Sequence, residues 1–286
     1  MIGWRNGEWF PLPDGAEVSV ISPGPCLFET FALRGGKVEC LPDHLARLVQ
    51  SCPRLGIDSN RLTLGAAPDP VRWAPVLREI LRREQLTDAI VRLIVAPRAM
   101  DTLATEWVTV RPLPATPPAI RLQLLQTRRD APEWLPRPKS GPWQNSSVAW
   151  RELRAISHDT DIEGVQLDAT GHVAEATRSS LAWWDGTHWC FPAASTGRLG
   201  GTAMAQFRGV VLAAGRKIAE VAEPFPPRAE SVVVLRSTLA GGGVLSSTCS
   251  DAERQVCWQS TGPQTEARAM LAALAAWRAQ RCINLA

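Results

Sequence analysis

Residues 111–121, RPLPATPPAIR, put four prolines into eleven positions. Proline fixes φ and lacks an amide proton, so such a stretch fits neither a helix interior nor a central strand. In a chain of 286 residues, long enough for one large or two smaller cores, it predicts a boundary. The expected organisation is a small N-terminal α/β domain over 1–112, a linker over 113–120 and a larger C-terminal α/β domain over 121–286. Neither side shows the regular strand–helix–strand alternation of a doubly wound sheet, so the expected class is α+β.

Local patterns fill in the elements. GEWFPLPDGAEVSVISPG near the start is short-strand material broken by Pro and Gly. CLFETFALRGGKVECL reads as a hairpin, with Gly35 and Gly36 supplying the positive φ of a tight turn. Pro42 and Asp43 then open a helix over DHLARLVQSCPRLG, with Leu45, Leu48 and Val49 at helical spacing. DPVRWAPVLREILRREQL is a second helix, and DAIVRLIVAPRA with TEWVTVRPL a strand pair. Beyond the prolines come a strand in AIRLQLLQT, a helix in SSVAWRELRAI and successive strands from Asp161 to Pro192. A Gly-rich turn leads into the helix MAQFRGVVLAAGRKI, followed by the strand AESVVVLRS, the turn TLAGGG and a terminal helix, TEARAMLAALAAWRAQR. No internal repeat is visible.

Composition narrows the class of function. A formal charge of +3, with arginines interspersed among acids, argues against a nucleic-acid partner. The seven cysteines are odd in number, spread out and without a C-x-x-C pair, which argues against a disulfide framework and a metal site. The first residues lack the plan of a signal peptide, and no apolar run is long enough to cross a bilayer. The expectation is a reduced, soluble, cytoplasmic protein acting on a small molecule, with no membrane partner.

Four segments carry a family resemblance: GPCLFETFALRGGKVECLPDHLARL, the loop RPKSGPWQN with its helix, GVQLDATGHVAEATRSSLAWW, and LGGTAMAQFRGVVLAAG. Their order and spacing resemble the fold-type IV pyridoxal-phosphate enzymes, also called class IV aminotransferases. LFETF is similar to many aminodeoxychorismate lyases. The resemblance implies the two-domain D-amino-acid-aminotransferase-like fold, pyridoxal 5'-phosphate as cofactor and a homodimer. It also implies release of pyruvate and 4-aminobenzoate from 4-amino-4-deoxychorismate, in folate biosynthesis. A transaminase of branched-chain or D-amino acids, or a relative that uses no covalent cofactor, are the alternatives.

Such a cofactor needs a Schiff-base lysine, an anion site and a partner for its ring nitrogen. By resemblance, Arg47 in HLARL matches the phosphate arginine. Gly201 and Thr202, ahead of a helix whose free N–H groups can face an anion, match the phosphate turn. Thr238 matches a further phosphate hydroxyl, and Glu175 the partner of the ring nitrogen. Thr30 matches a hydroxyl that assists proton delivery in the lyases. The chain departs from the pattern at Ala203, where an Arg is common, and at Ser180, near a usual Asn.

The lysine is the largest departure. Relatives place it three or four residues before an Asn that begins a helix, and that count from Asn145 lands on Pro142 or Gly141. Either Lys139 is the Schiff-base residue and the loop carries an insertion, or the lysine is lost. Lys37 and Lys217, the only other lysines, sit in a hairpin turn and at a helix end. With 31 basic residues of which three are Lys, a lysine retained at 139 favours the first reading.

Overall fold

The computed structural model describes residues 2–12, 25–98, 104–130, 137–141, 144–260 and 262–285. The strand expected between Pro13 and Gly24 lies outside them. The chain forms two compact units. The first is Met1–Pro114 with Pro138–Pro142 and Arg278–Ala286; the second is Ala115–Arg137 with Trp143–Trp277.

In the first unit β1 (Ile2–Arg5), β2 (Glu8–Pro11), β3 (Cys26–Arg34), β4 (Lys37–Glu39), β5 (Ala89–Pro97) and β6 (Ala104–Pro112) belong to one sheet. Helices α1 (Leu41–Ser51) and α2 (Pro70–Glu84) lie between β4 and β5 in the chain. Helix α1 stops at Ser51 and not at Gly56, because Pro53 turns the chain into a 3-10 segment, Cys52–Leu55. Helix α2 begins at Pro70 under an Asp69 side chain that accepts from the Val71 N–H at 2.9 Å.

Side chains alternate along β3. Leu27, Phe31 and Leu33 enter a core with Leu45 and Leu48 of α1, Trp73, Leu77 and Ile80 of α2, and Val91, Leu93 and Val95 of β5. Each such side chain contributes about 1.5–3 kcal/mol by burial. The Trp73 indole N–H is satisfied by the Leu64 carbonyl at 3.1 Å, so the ring is buried without an orphaned donor.

Two short strands join this sheet from far along the chain. Strand β8 (Ser140–Gly141) pairs antiparallel with Leu27 and Cys26, and β17 (Cys282–Asn284) pairs with β4 through Cys282↔Glu39 and Asn284↔Lys37. A division of the chain at the prolines places both segments in the C-terminal part. Strand pairing assigns them to the first unit.

The second unit is built on a nine-stranded sheet. Its members are β7 (Ala119–Leu124), β9 (Ile162–Leu167), β10 (Val173–Ala176), β11 (Ser180–Trp184), β12 (Trp189–Pro192), β13 (Ile218–Val221), β14 (Ser231–Leu235), β15 (Gly243–Ser250) and β16 (Val256–Gln259). The order is β10-β9-β7-β15-β14-β11-β12-β13, with β16 on β15. Helices α3 (Gln144–Ile156), α4 (Thr202–Ala213) and α5 (Thr265–Ala279) complete the elements.

Both faces of this sheet are covered, which is why β14 reads as an unbroken apolar run. Val232 and Val234 enter one core with Val165, Leu181 and Trp183; Val233 and Leu235 enter another with Phe207 and Val211 of α4 and Leu274 of α5. The sequence pattern extends α4 to Ile218. The helix instead ends at Ala213, Gly215 turns the chain at φ +70°, and Ile218–Val221 forms β13 beside β12.

Candidate active site

Strand β3 presents two different surfaces. Toward α1 it carries Glu29, a carboxylate 1% exposed. Arg47 meets it with a two-pronged fork, Nε donating to Oε1 at 2.7 Å and a terminal nitrogen to Oε2 at 2.6 Å. His44, one helical turn earlier, places Nδ1 2.7 Å from Oε2. Burial pushes the Glu29 carboxyl up, but Arg47 and His44 outweigh it and hold the group down at about 2. Burial also pushes His44 below its ordinary value, against the pull of Glu29.

The other surface of β3 carries Phe28 and Thr30. The Phe28 N–H donates to the Lys139 carbonyl at 3.0 Å, and the Lys139 Nζ stands over the Phe28 ring, 4.6 Å from its centre. The same ring holds the Arg92 guanidinium at 5.3 Å, and Arg92 is the register partner of Thr30. Two cations share one aromatic ring beside a hydroxyl. Lys139 is therefore anchored by strand pairing and by its head group, and is not a lysine on a free loop. Arg92 carries no motif, and the signal for it was only its place opposite Thr30 in a hairpin register.

The second unit gathers Glu175, Gly201 and Thr202. Glu175 lies in β10, 6% exposed, with Oε2 accepting the Leu199 N–H at 3.1 Å. The Leu199 carbonyl accepts from the Gly201 N–H at 2.9 Å, so one residue ties the carboxylate to the turn. Gly201 is the N-cap of α4; no side chain caps the helix there, and its first turn holds no acid. Those amide groups and the helix dipole favour an anion. Thr238 follows β14, whose Leu235 pairs with Ser180.

Glu163 lies beneath two of these segments. Fully buried, it accepts from the Arg178 guanidinium at 2.9 and 3.1 Å, from the Thr177 hydroxyl at 2.9 Å and from Arg236 at 2.5 Å. Burial pushes its carboxyl up, and Arg178 and Arg236 bring it below the ordinary value. One carboxylate thus clamps the segment after Glu175 to the segment before Thr238.

Of the residues singled out from the sequence, Lys139 and Thr30 share the Phe28 surface, and Glu175, Gly201 and Thr202 are linked through Leu199. Arg47 is bound to Glu29 on the opposite surface of β3 from Thr30. Glu175, Gly201 and Thr202 fit the ring nitrogen and phosphate of a phosphorylated pyridine cofactor. The Glu175 Oε1 is buried and accepts no hydrogen bond among the described residues, as a partner for a ring N–H would. The uncapped α4 N-terminus suits a phosphate.

The two sheets, in this strand order, define the fold of the class IV aminotransferases. The chain belongs to that family of enzymes: the family model for amino-transferase class IV matches residues 26–238. Among solved structures it is similar to the branched-chain aminotransferase of Thermoproteus uzoniensis, solved with norvaline (TM-score 0.72, 18% identity, 100% of this chain and 99% of that chain). It is similar also to the branched-chain aminotransferase of Escherichia coli (0.70, 18%, 93% and 91%). A third is a candidate 4-amino-4-deoxychorismate lyase of Legionella pneumophila (0.68, 18%, 86% and 90%). A further branched-chain aminotransferase of the same fold was solved with N-(5'-phosphopyridoxyl)-L-glutamate bound (0.73, 18%, 100% and 98%). No curated protein matches the chain at the level of sequence.

Proposed function

We propose that the protein is a pyridoxal 5'-phosphate-dependent 4-amino-4-deoxychorismate lyase, releasing pyruvate and leaving 4-aminobenzoate for folate synthesis. The observation that carries this reading is the Phe28 surface, where Lys139 Nζ, Arg92 and the Thr30 register position adjoin one another. An amine, a cation and a hydroxyl there suit a substrate bearing carboxylates and a reaction that must move protons. The similarity to the Legionella protein agrees with it.

When bound, the cofactor supplies an electron sink for the carbon bearing the substrate amine. Lys139 would hold it and would take and return protons. Thr30 would assist delivery of a proton to the departing three-carbon fragment. Glu175 would accept the ring N–H. The Gly201 and Thr202 backbone and the Thr238 hydroxyl would hold the phosphate, with Arg47 in the role the resemblance implies. The active form is a homodimer in the cytoplasm.

Transamination of branched-chain or D-amino acids is the second reading, favoured by the similarity to branched-chain aminotransferases. Purified protein is titrated with pyridoxal 5'-phosphate and followed by visible absorption. A new band that Lys139→Ala abolishes supports both readings, and its absence at saturating cofactor rejects both. Pyruvate release from 4-amino-4-deoxychorismate, against keto-acid formation from branched-chain or D-amino acids, then decides between them.

A further inference from the structure

Arg129 lies outside the four segments that carry the family resemblance, and it is among the most deeply placed charges in the second unit. Its side chain is 1% exposed, and Nε lies 2.8 Å from Oε1 of Glu175, itself 8% exposed. A terminal nitrogen donates to the Asn145 Oδ1 and to the Ser146 Oγ, each at 3.0 Å, in the first turn of α3. The Arg129 Nε also donates to the Gly197 carbonyl at 3.4 Å, and its backbone N–H to the Leu167 carbonyl at 2.7 Å. Asn145 is fixed in turn: its Oδ1 accepts from Gln166 Nε2 at 2.9 Å and its Nδ2 donates to the Arg128 carbonyl at 2.7 Å. Gln166 is the register partner of Glu175. The result is a closed polar ring around Glu175, built from β9, β10, α3 and the segment before α4.

The ring has one asymmetry. Oε2 of Glu175 accepts a hydrogen bond from Leu199, whereas Oε1 touches Arg129 as an ion pair but accepts no hydrogen bond among the described residues. An ionised carboxylate offers about four acceptor positions, so Oε1 keeps room for an outside N–H. The planar Arg129 fork, held at Asn145 and Ser146, fixes where the carboxylate points.

We propose that Arg129 is a positioning residue for the cofactor's ring nitrogen: it pairs with the Glu175 carboxylate and aims Oε1 at the ring N–H. This rests on the pyridoxal-phosphate reading above and extends it to a residue that does not itself touch the cofactor.

The test compares two cofactors. Pyridoxal 5'-phosphate has a ring nitrogen; its 1-deaza analogue has a carbon there and is otherwise the same shape. Binding of each is measured by fluorescence quenching or absorption, without substrate. Wild-type protein is expected to prefer pyridoxal phosphate by about tenfold or more, the worth of one charge-assisted hydrogen bond. Arg129→Gln is expected to lose most of that preference by weakening the natural cofactor while leaving the analogue's affinity nearly unchanged. Glu175→Gln should do the same with Arg129 present.

Weakening of both cofactors by one common factor in Arg129→Gln would mean a structural role alone and overturns the proposal, as does a wild type with no preference. A wild type that binds neither cofactor instead removes the underlying functional reading, and the proposal with it. If Arg129→Gln fails to fold, Arg129→Lys is measured in its place. Retention of the preference supports action through charge, and equal loss for both cofactors overturns it.

Discussion

A Cβ built on Gly201 falls 2.4 Å from the Ser180 Oγ. The backbone of Gly201 is extended, at φ −67° and ψ 132°, a conformation open to any residue. The requirement for glycine is therefore steric, imposed by Ser180 across the turn that begins α4. Ser180 stands near the position where relatives often carry Asn. Its pairing with Leu235 holds it against the turn.

Gly201→Ala is expected to cost about 1–3 kcal/mol of stability, as overpacking of a close contact does. Ser180→Ala removes the clashing oxygen, so Gly201→Ala combined with Ser180→Ala should recover most of the loss. Urea midpoints of the four proteins in the cycle measure this coupling. Strict additivity would show that Ser180 is not what excludes a side chain there.

The clamp at Glu163 has a larger expected effect. Glu163→Ala leaves Arg178 and Arg236 beside each other in a partly buried site without their shared carboxylate. Breaking such a pair costs about 3–5 kcal/mol. Removing Arg178 in addition should return part of the stability, since the repulsion goes with it. Thermal or urea unfolding of the single and double variants checks both statements.

Stability should fall on acidification in two stages, both from the first unit. His44 lies below its ordinary value when folded, so the unfolded chain binds a proton first as pH drops below 6.5 and stability declines. Glu29 lies at about 2 against 4.5 unfolded; its contribution is complete above 4.5 and is lost as pH falls toward 2. His44→Gln should flatten the upper stage and spare the lower one. Urea midpoints from pH 7 to pH 2 provide the measurement.

Arg92 is expected to read a substrate carboxylate from the Phe28 surface. Arg92→Met should raise KM for a carboxylate-bearing substrate by about 10–100-fold, the value of one hydrogen bond to a charged group, with a smaller change in kcat. Steady-state kinetics on the substrate identified by product analysis decides it. A fall in kcat at constant KM would place Arg92 in the chemical step.

Much of the architecture was legible along the chain. The Gly35–Gly36 turn, the two helices after it and the strands on either side of the prolines follow from turn chemistry and apolar spacing, which act over a few residues. The candidate site residues were proposed from motifs, through HLAR, the GGT turn and the LDATGHVAE stretch. Strands β15, β16 and β17 were not read as strands, because short segments rich in Ser, Thr and Cys carry weak alternation. Nor did any local pattern identify Arg92, Arg129 or Glu163, whose partners lie 14 to 73 positions away or are defined only by strand register.

The sequence by itself determined most of the element types, the two-part α+β organisation and the family, because those depend on local periodicity and on motifs in a fixed order. Tertiary structure alone decided that Lys139 is held on β3, that the C-terminal strand completes the first sheet and that Glu175 sits against Arg129. Those outcomes depend on which strands pair and in what register, and on where burial makes an isolated charge too costly. Such forces act between residues that the chain brings together only when it folds.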